Sequence, residues 1–191
     1  MNLRAGVING PKNPQFSFTT ILTGEIRDRD AELIAEYKNG KGETGVLLGV
    51  NARPLVGGRG KGDGLAFTLI PAEPIIAFRK FHFNENHNWI YLHKNMRVYA
   101  NVDIWDDEGM GFRVHSVEGD TVSLQNIDVE IRRIRLDEIT SVLPYFPEIT
   151  GLFSAEAHYI QTEKDLQLSA EASIDELTYE RQRIGDVTLG A

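Results

Sequence analysis

Apolar and polar residues alternate with a period of two along most of this chain, the pattern of strands with one buried and one wetted face. Phe16, Phe18, Thr20 and Leu22 take one side of "QFSFTTILTG", and after a turn at Arg27 to Asp30 the alternation resumes at Ala31, Leu33, Ala35 and Tyr37. "KNGKGETG" then predicts a hairpin, because Asn39-Gly40 suits the positive φ values of a tight type I′ turn. Val46, Leu48, Val50 and Ala52 form the returning strand. Val98, Ala100, Val102 and Ile104 alternate before the acidic turn "DDEGMG", and Phe112 and Val114 pick up the pattern after it. Val122 and Leu124, then Ile127, Val129 and Ile131, then Ile134 and Leu136 keep one apolar face, with a phase slip that predicts a β-bulge or short turn. Phe153, Ala155, Ala157 and Tyr159 precede a turn at "QTEKD", and Leu166, Leu168, Ala170, Ala172 and Ile174 follow it. Leu177 and Tyr179 continue the alternation to a turn at Arg181-Gln182-Arg183, and Val187 and Leu189 resume it. The whole reads as an all-β meander.

Three proline pairs interrupt it, Pro11 and Pro14, Pro71 and Pro74, Pro144 and Pro147. Proline has no N–H for a strand ladder, so these pairs predict connections, dividing a single 1–191 segment into blocks 1–70, 71–143 and 144–191. Ile139, Val142 and Leu143 stand at helical spacing within Asp137 to Leu143, enough for one or two turns. "PIIAFRKFHF", after Pro74, fits a second short helix or an irregular apolar segment.

Composition narrows the class without naming it. Apolar residues make up 41% and charged residues 25%, ordinary values for a folded domain, and a net charge of -8 lacks the basic face that neutralises nucleic-acid phosphates. No nucleic-acid partner is expected. With no cysteine, a disulfide framework and a thiolate zinc site are both ruled out. No apolar stretch approaches the roughly 18 to 20 residues that span a bilayer, and "MNLRAGVING" has no signal-peptide core, so any targeting segment is expected outside this sequence.

An antiparallel sheet buries one face against something, and no long amphipathic helix is present to cover it. Either the sheet folds over on itself as a sandwich or barrel, or it curls into a trough whose apolar inside is covered by something other than protein. Composition does not choose between them.

"NGPKNPQFSFTTILTG", "LDEITSVLPYFPEITGLFSAEAHYIQ" and "ELTYERQRIGDVTLGA" resemble the repeated segments of the TamB and AsmA-like family of Gram-negative cell envelopes. In that family strand blocks are linked by a short apolar helix, a proline and a glycine-containing strand entry, matched here by Leu136 to Gly151. A strand there ends in a tyrosine and an Ile-Gly-Asp or Leu-Gly-Asp turn leads into the next, matched by Tyr179, Ile184, Gly185 and Asp186. The likeness covers most of 120–191 and, more weakly, 1–70. Phe78 to Tyr99, rich in aromatics and histidine, departs from it.

The resemblance implies a curled antiparallel β-meander forming an open hydrophobic groove, a β-taco, with one or two short connecting helices. It also implies a part of a much longer protein, periplasmic and anchored in the inner membrane, that moves phospholipid towards the outer membrane and assists outer-membrane protein assembly with a BamA-superfamily partner. Its groove would hold phospholipid or another acyl-chain lipid. The expected wall is Phe16, Phe18, Leu22, Val46, Leu48, Val50, Val98, Val102, Ile104, Val129, Ile131, Phe153, Tyr159, Leu166, Leu168 and Ile174. Unpaired first and last strands of such a segment predict an edge-strand homo-oligomer. The competing reading is a closed β-sandwich, a ligand-binding or adhesion module, in which the same residues form a core; a structural spacer is a third.

Other motifs carry less. "VGGRGKGDG", Val56 to Gly64, lacks the Gly-Lys-Ser/Thr ending of a phosphate loop and reads as an inter-strand loop. His82, His87 and His93 suggest a metal only if an extended segment brings them together, and none is expected. Trp105 to Glu108 is acidic, yet its spacing matches no calcium loop and fits solvated turn chemistry. No nucleophile motif is present, so neither an enzyme nor a cofactor is expected.

Overall fold

The computed structural model describes residues 17–55, 63–117, 120, 122–141 and 146–190, together with the backbone of 2–9; 85 and 86 are likewise described by backbone alone. The strands are β1 (Asn2–Asn9), β2 (Phe18–Arg27), β3 (Asp30–Asn39), β4 (Thr44–Leu55), β5 (Gly64–Ile76), β6 (Arg79–Lys80), β7 (His82–His93), β8 (Val98–Trp105), β9 (Gly111–Ser116), β10 (Gln125–Arg135), β11 (Ile149–Gln161), β12 (Leu166–Tyr179) and β13 (Gln182–Gly190). One short helix, α1 (Leu136–Ser141), follows β10, and its Thr140 hydroxyl donates back to the Leu136 carbonyl at 2.9 Å. All thirteen strands join one antiparallel sheet in chain order, with the two-residue β6 paired to β5 beside the main path. The sheet is open and does not close into a barrel. The fold is therefore the all-β meander that the alternation predicts.

Several details differ from the sequence reading, each for a local reason. The β3–β4 hairpin is not a two-residue type I′ turn: Asn39 still pairs in β3, and Gly42, at φ 83°, takes the left-handed conformation. The Asn39 carboxamide oxygen accepts from the N–H groups of Lys41 and Glu43, both at 3.0 Å, so a side chain organises a longer loop. Pro71 and Pro74 lie inside β5 rather than in a connection. They are tolerated because the β4–β5 register jumps there, from Gly49 opposite Ile70 to Leu47 opposite Ile75, which leaves the intervening residues outside the ladder. "PIIAFRKFHF" is a strand end, a turn at Ala77 and Phe78 and a new strand, not a helix. Val122 and Leu124 precede β10, and Leu136 opens α1, so none of the three extends the meander. β1 carried no signal in the alternation. Pro147 stands in the connection to β11 as expected, whereas Phe16, Pro11, Pro14, Pro144, Val142 and Leu143 lie outside the described residues.

Where β5 and β7 part after Phe67 opposite Ile90, a side chain bridges them. The Asn88 carboxamide accepts from the Leu69 N–H and donates to the Leu69 carbonyl, both at 2.9 Å, standing in for a strand partner.

Full burial is confined to the middle of the sheet. Phe81, Ile104 and Met110 form a small core, with Ile76, Phe83 and Ile134 packed on it. Beside it Arg79 gathers acidic groups from two other places. Its guanidinium meets Asp106 at 3.0 Å and Glu108 at 3.1 Å in the β8–β9 turn, and Glu138 of α1 at 2.7 Å. These carboxylates, Glu138 foremost, raise the Arg79 pKa above its ordinary value. The helix is thereby tied to the β6 turn, and Asp106 is held further by the N–H groups of Glu108 and Met110, at 2.9 and 2.8 Å. Asp106 is buried, so this turn is not simply solvated.

Candidate functional site

Residues directly opposite in an antiparallel pair point to the same side, so the registers carry each strand's apolar positions across the whole sheet. Leu22 faces Ala35, which faces Leu48. Leu33 faces Val50, which faces Leu69. Phe18 and Val46 belong to the same side, two strand positions from Thr20 opposite Tyr37 and by direct pairing with Tyr37. Ala52, Phe67, Ile90 and Ala100 continue the row, with Val98 opposite Leu92 beside it.

From the centre outwards the row is unbroken. Ile104, Phe112, Ile131, Ala155, Ala172 and Leu189 are successive partners from β8 to β13. Val102, Val114, Val129, Ala157 and Ala170 run alongside, as do Ile127, Tyr159 and Leu168 on one flank. Phe153 opposite Ile174, and Leu166 opposite Gln161, complete the second half. The structure thus gathers the expected wall positions on one face, apart from Phe16, which is outside the described residues.

This face is uncovered over much of its extent. Val102 is 2% exposed, but Leu33 is 44%, Phe112 38%, Leu168 59% and Leu189 73% exposed. A sandwich would bury these positions between two layers about 10 Å apart. At these exposures Leu33, Phe112, Leu168 and Leu189 are not buried in that way, and α1 packs on β10 and β11.

The opposite face is polar over the second half of the sheet and holds side chains that alternation alone gave no reason to select, whereas over the first half it also carries Ile21, Ile34, Leu47, Ala66 and Ile70. The Asp128 carboxylate lies between two histidines, with His115 Nε2 at 3.2 Å and His158 Nδ1 in contact on the other side. Beside them Glu130, Glu156 and Glu171 stand directly opposite one another on β10, β11 and β12. Arg132 Nε lies 3.6 Å from Glu130 and its Nη2 2.6 Å from Asp103. A shallow cavity of about 750 Å³ lies over these groups, and a second of about 580 Å³ adjoins it. A twisted sheet is a saddle, so each face is concave along one diagonal. Further along this face Trp89 and Tyr91 stack with ring centres 4.4 Å apart, and His93 meets Tyr99 edge-on at 5.3 Å.

Like charges directly opposite on a sheet repel. Replacing the middle member, Glu156→Lys, converts two repulsive cross-strand pairs into attractive ones, each change worth about 0.2–1 kcal/mol. A raised thermal midpoint is the expected result, measured by circular dichroism at low salt, with the gain shrinking as salt is added.

The histidines singled out in the sequence do not converge. His82 and His93 begin and end β7, and His82 instead lies 3.2 Å from Asp107. Among the described residues no three histidine, aspartate or glutamate side chains are gathered so as to hold a metal ion. Most of the glycine-rich stretch, residues 56–62, lies outside the described residues.

Fold and site together define a class: an open antiparallel β-meander with a row of apolar partners along one face and a charged opposite face over its second half. Comparison adds no neighbour to that description, since no family model matches the chain and no curated protein or solved structure matches it significantly.

Proposed function

We propose that this chain shields the acyl chains of lipids along its apolar face, as a non-catalytic segment of a TamB-like bridge for phospholipid between the inner and outer membranes. The observation that carries the reading is the row of apolar partners running from β2 to β13, which is buried at its centre around Ala100, Val102 and Ile104 and stays exposed towards both ends at Leu33, Leu168 and Leu189. Each methylene removed from water contributes about 0.8 kcal/mol, so a lipid tail of a dozen or more carbons gains more from such a surface than from any single pocket. The face also has room for one: Ala155, Ala157, Ala170 and Ala172 form a low lane, bordered by Tyr159 and Leu168 on one side and Phe153 and Ile174 on the other. Recognition by apolar area selects tails and not head groups, which fits a carrier of mixed phospholipids.

The resemblance in 120–191 supports the wider setting: the periplasm, an inner-membrane anchor in the full-length protein, and a BamA-superfamily partner in outer-membrane biogenesis. The test is mass spectrometry of an organic extract from natively purified protein, beside a soluble β-protein of closed core prepared identically. Near-stoichiometric phospholipid above the control is expected. An extract no richer than the control overturns the reading.

A further inference from the structure

We infer that this chain docks on a phospholipid bilayer through one lateral margin of its sheet, with Met96 and Val122 as the side chains that enter the lipid. The inference does not rest on the apolar face holding lipid. Antiparallel strands in chain order send alternate connections to the same margin, so the links β4–β5, β7–β8 and β9–β10 emerge together. Side chains and backbone tie them to one another. Gln125, the first residue of β10, donates its side-chain amide to the Met96 carbonyl at 3.0 Å and accepts from the Val98 N–H at 3.2 Å. The Lys94 N–H donates to the Asp63 carbonyl at 2.9 Å.

Turns are built from polar residues and glycine, yet here Met96 is 72% and Val122 81% exposed in two neighbouring connections. Turn chemistry does not ask for either. Met96 sits at φ 66°, a left-handed conformation that asparagine or glycine adopts at lower cost. Its turn is nonetheless well fixed: the Met96 N–H donates to the His93 carbonyl at 2.9 Å and the Arg97 N–H to the Asn95 carboxamide oxygen at 3.1 Å. Beside it the Asp120 carboxylate accepts from the N–H groups of Val122 and Ser123, both at 2.9 Å, and from the Asn126 amide at 2.6 Å. Two apolar tips are thus held out into solvent by their own turns. Among the described residues the charged side chains at the paired ends of β4, β5, β7 and β8 are Arg53, Lys94 and Arg97 against one acid, Asp63, in a chain of net charge -8. Lipid phosphates suit that local surplus of cations, and Tyr99, 38% exposed, is the kind of side chain that settles at a head-group layer. The margin is also continuous with the apolar face. Leu65 lies opposite Leu92, and Leu92 opposite Val98, so that face runs down to the docked end. On the bridge reading, docking places this segment against a membrane and not midway between the two.

Vesicles of phosphatidylethanolamine and phosphatidylglycerol, mixed with the whole chain, give the test. Co-sedimentation is expected, and Met96→Asn combined with Val122→Ser is expected to weaken it at least about tenfold. Asparagine accepts the left-handed turn, so the double variant is expected to melt at the parent's midpoint or above, which separates a lost lipid contact from a lost structure. Because the chain has no cysteine, a single fluorophore can be attached at Met96→Cys or, in the β3–β4 turn at the opposite margin, at Lys41→Cys. A nitroxide-bearing phospholipid is expected to quench the first and spare the second. No co-sedimentation, equal quenching at the two margins, or undiminished binding by the double variant overturns the inference. Docking and the apolar face fail separately. An empty organic extract from a chain that binds vesicles removes the acyl-chain reading alone, and a phospholipid-rich extract from a chain that ignores vesicles removes docking alone.

Discussion

Val102→Asp abolishes the cooperative unfolding of the sheet. Val102 is 2% exposed, in the middle of β8, with Val114 opposite it on one side and Asn88 on the other. Neither neighbour is a cation, so the new carboxylate must either lose its hydration or take up a proton to remain there. An uncompensated buried charge costs several kcal/mol, against a total stability for an ordinary domain of about 5–15 kcal/mol. Thermal melts followed by circular dichroism are expected to lose their sigmoidal transition, or to shift it by tens of degrees. A melt within a few degrees of the parent would show that the centre of the sheet is wetter than its burial indicates.

Leu168→Asp has the opposite signature. Leu168 shares the apolar face with Val102 but is 59% exposed, so the charge remains hydrated and the fold is expected to survive with a change of about 1 kcal/mol or less. What changes is the surface. A carboxylate beside the low lane of Ala157 and Ala170 puts a solvated ion where a methylene chain would lie, and phospholipid recovered by extraction is expected to fall to the control level. Two results would sink the acyl-chain assignment. One is loss of cooperative melting at Leu168, the mark of a closed core; the other is an unchanged lipid yield from a folded variant. The pair of substitutions thus separates a wall from a core on the same face of one sheet.

Much of this was legible because period two is preserved within each strand. Once Leu48 and Val50, Val102 and Ile104, or Leu166 and Leu168 are read as one face, pairing can move a strand along its neighbour by two residues without changing sides. What alternation could not give was whether that face is covered, since Leu168 in a sandwich and Leu168 on an open sheet have the same neighbours in sequence. It also missed contacts that depend on register. His115, Asp128 and His158 come from three strands, and only the pairing of β9, β10 and β11 aligns them. Local chemistry misled in two places: Asn39 acts through its side chain instead of supplying a left-handed turn residue, and the β4–β5 bulge admits prolines that elsewhere end a strand. Val122 lies outside the strands, and its 81% exposure shows that an apolar residue in phase need not be buried.

The pairing of each strand of the main path with the one before it on that path bears on how the protein is made. Each hairpin brings together residues close in sequence, so the entropy lost in closing each loop is small, and no strand must wait for a distant partner. Folding can keep pace with synthesis or with passage through a narrow pore, one hairpin docking on the last. A chain arrested partway would leave a shorter sheet with a sound beginning, and the quantity selection can adjust most freely is the number of hairpins.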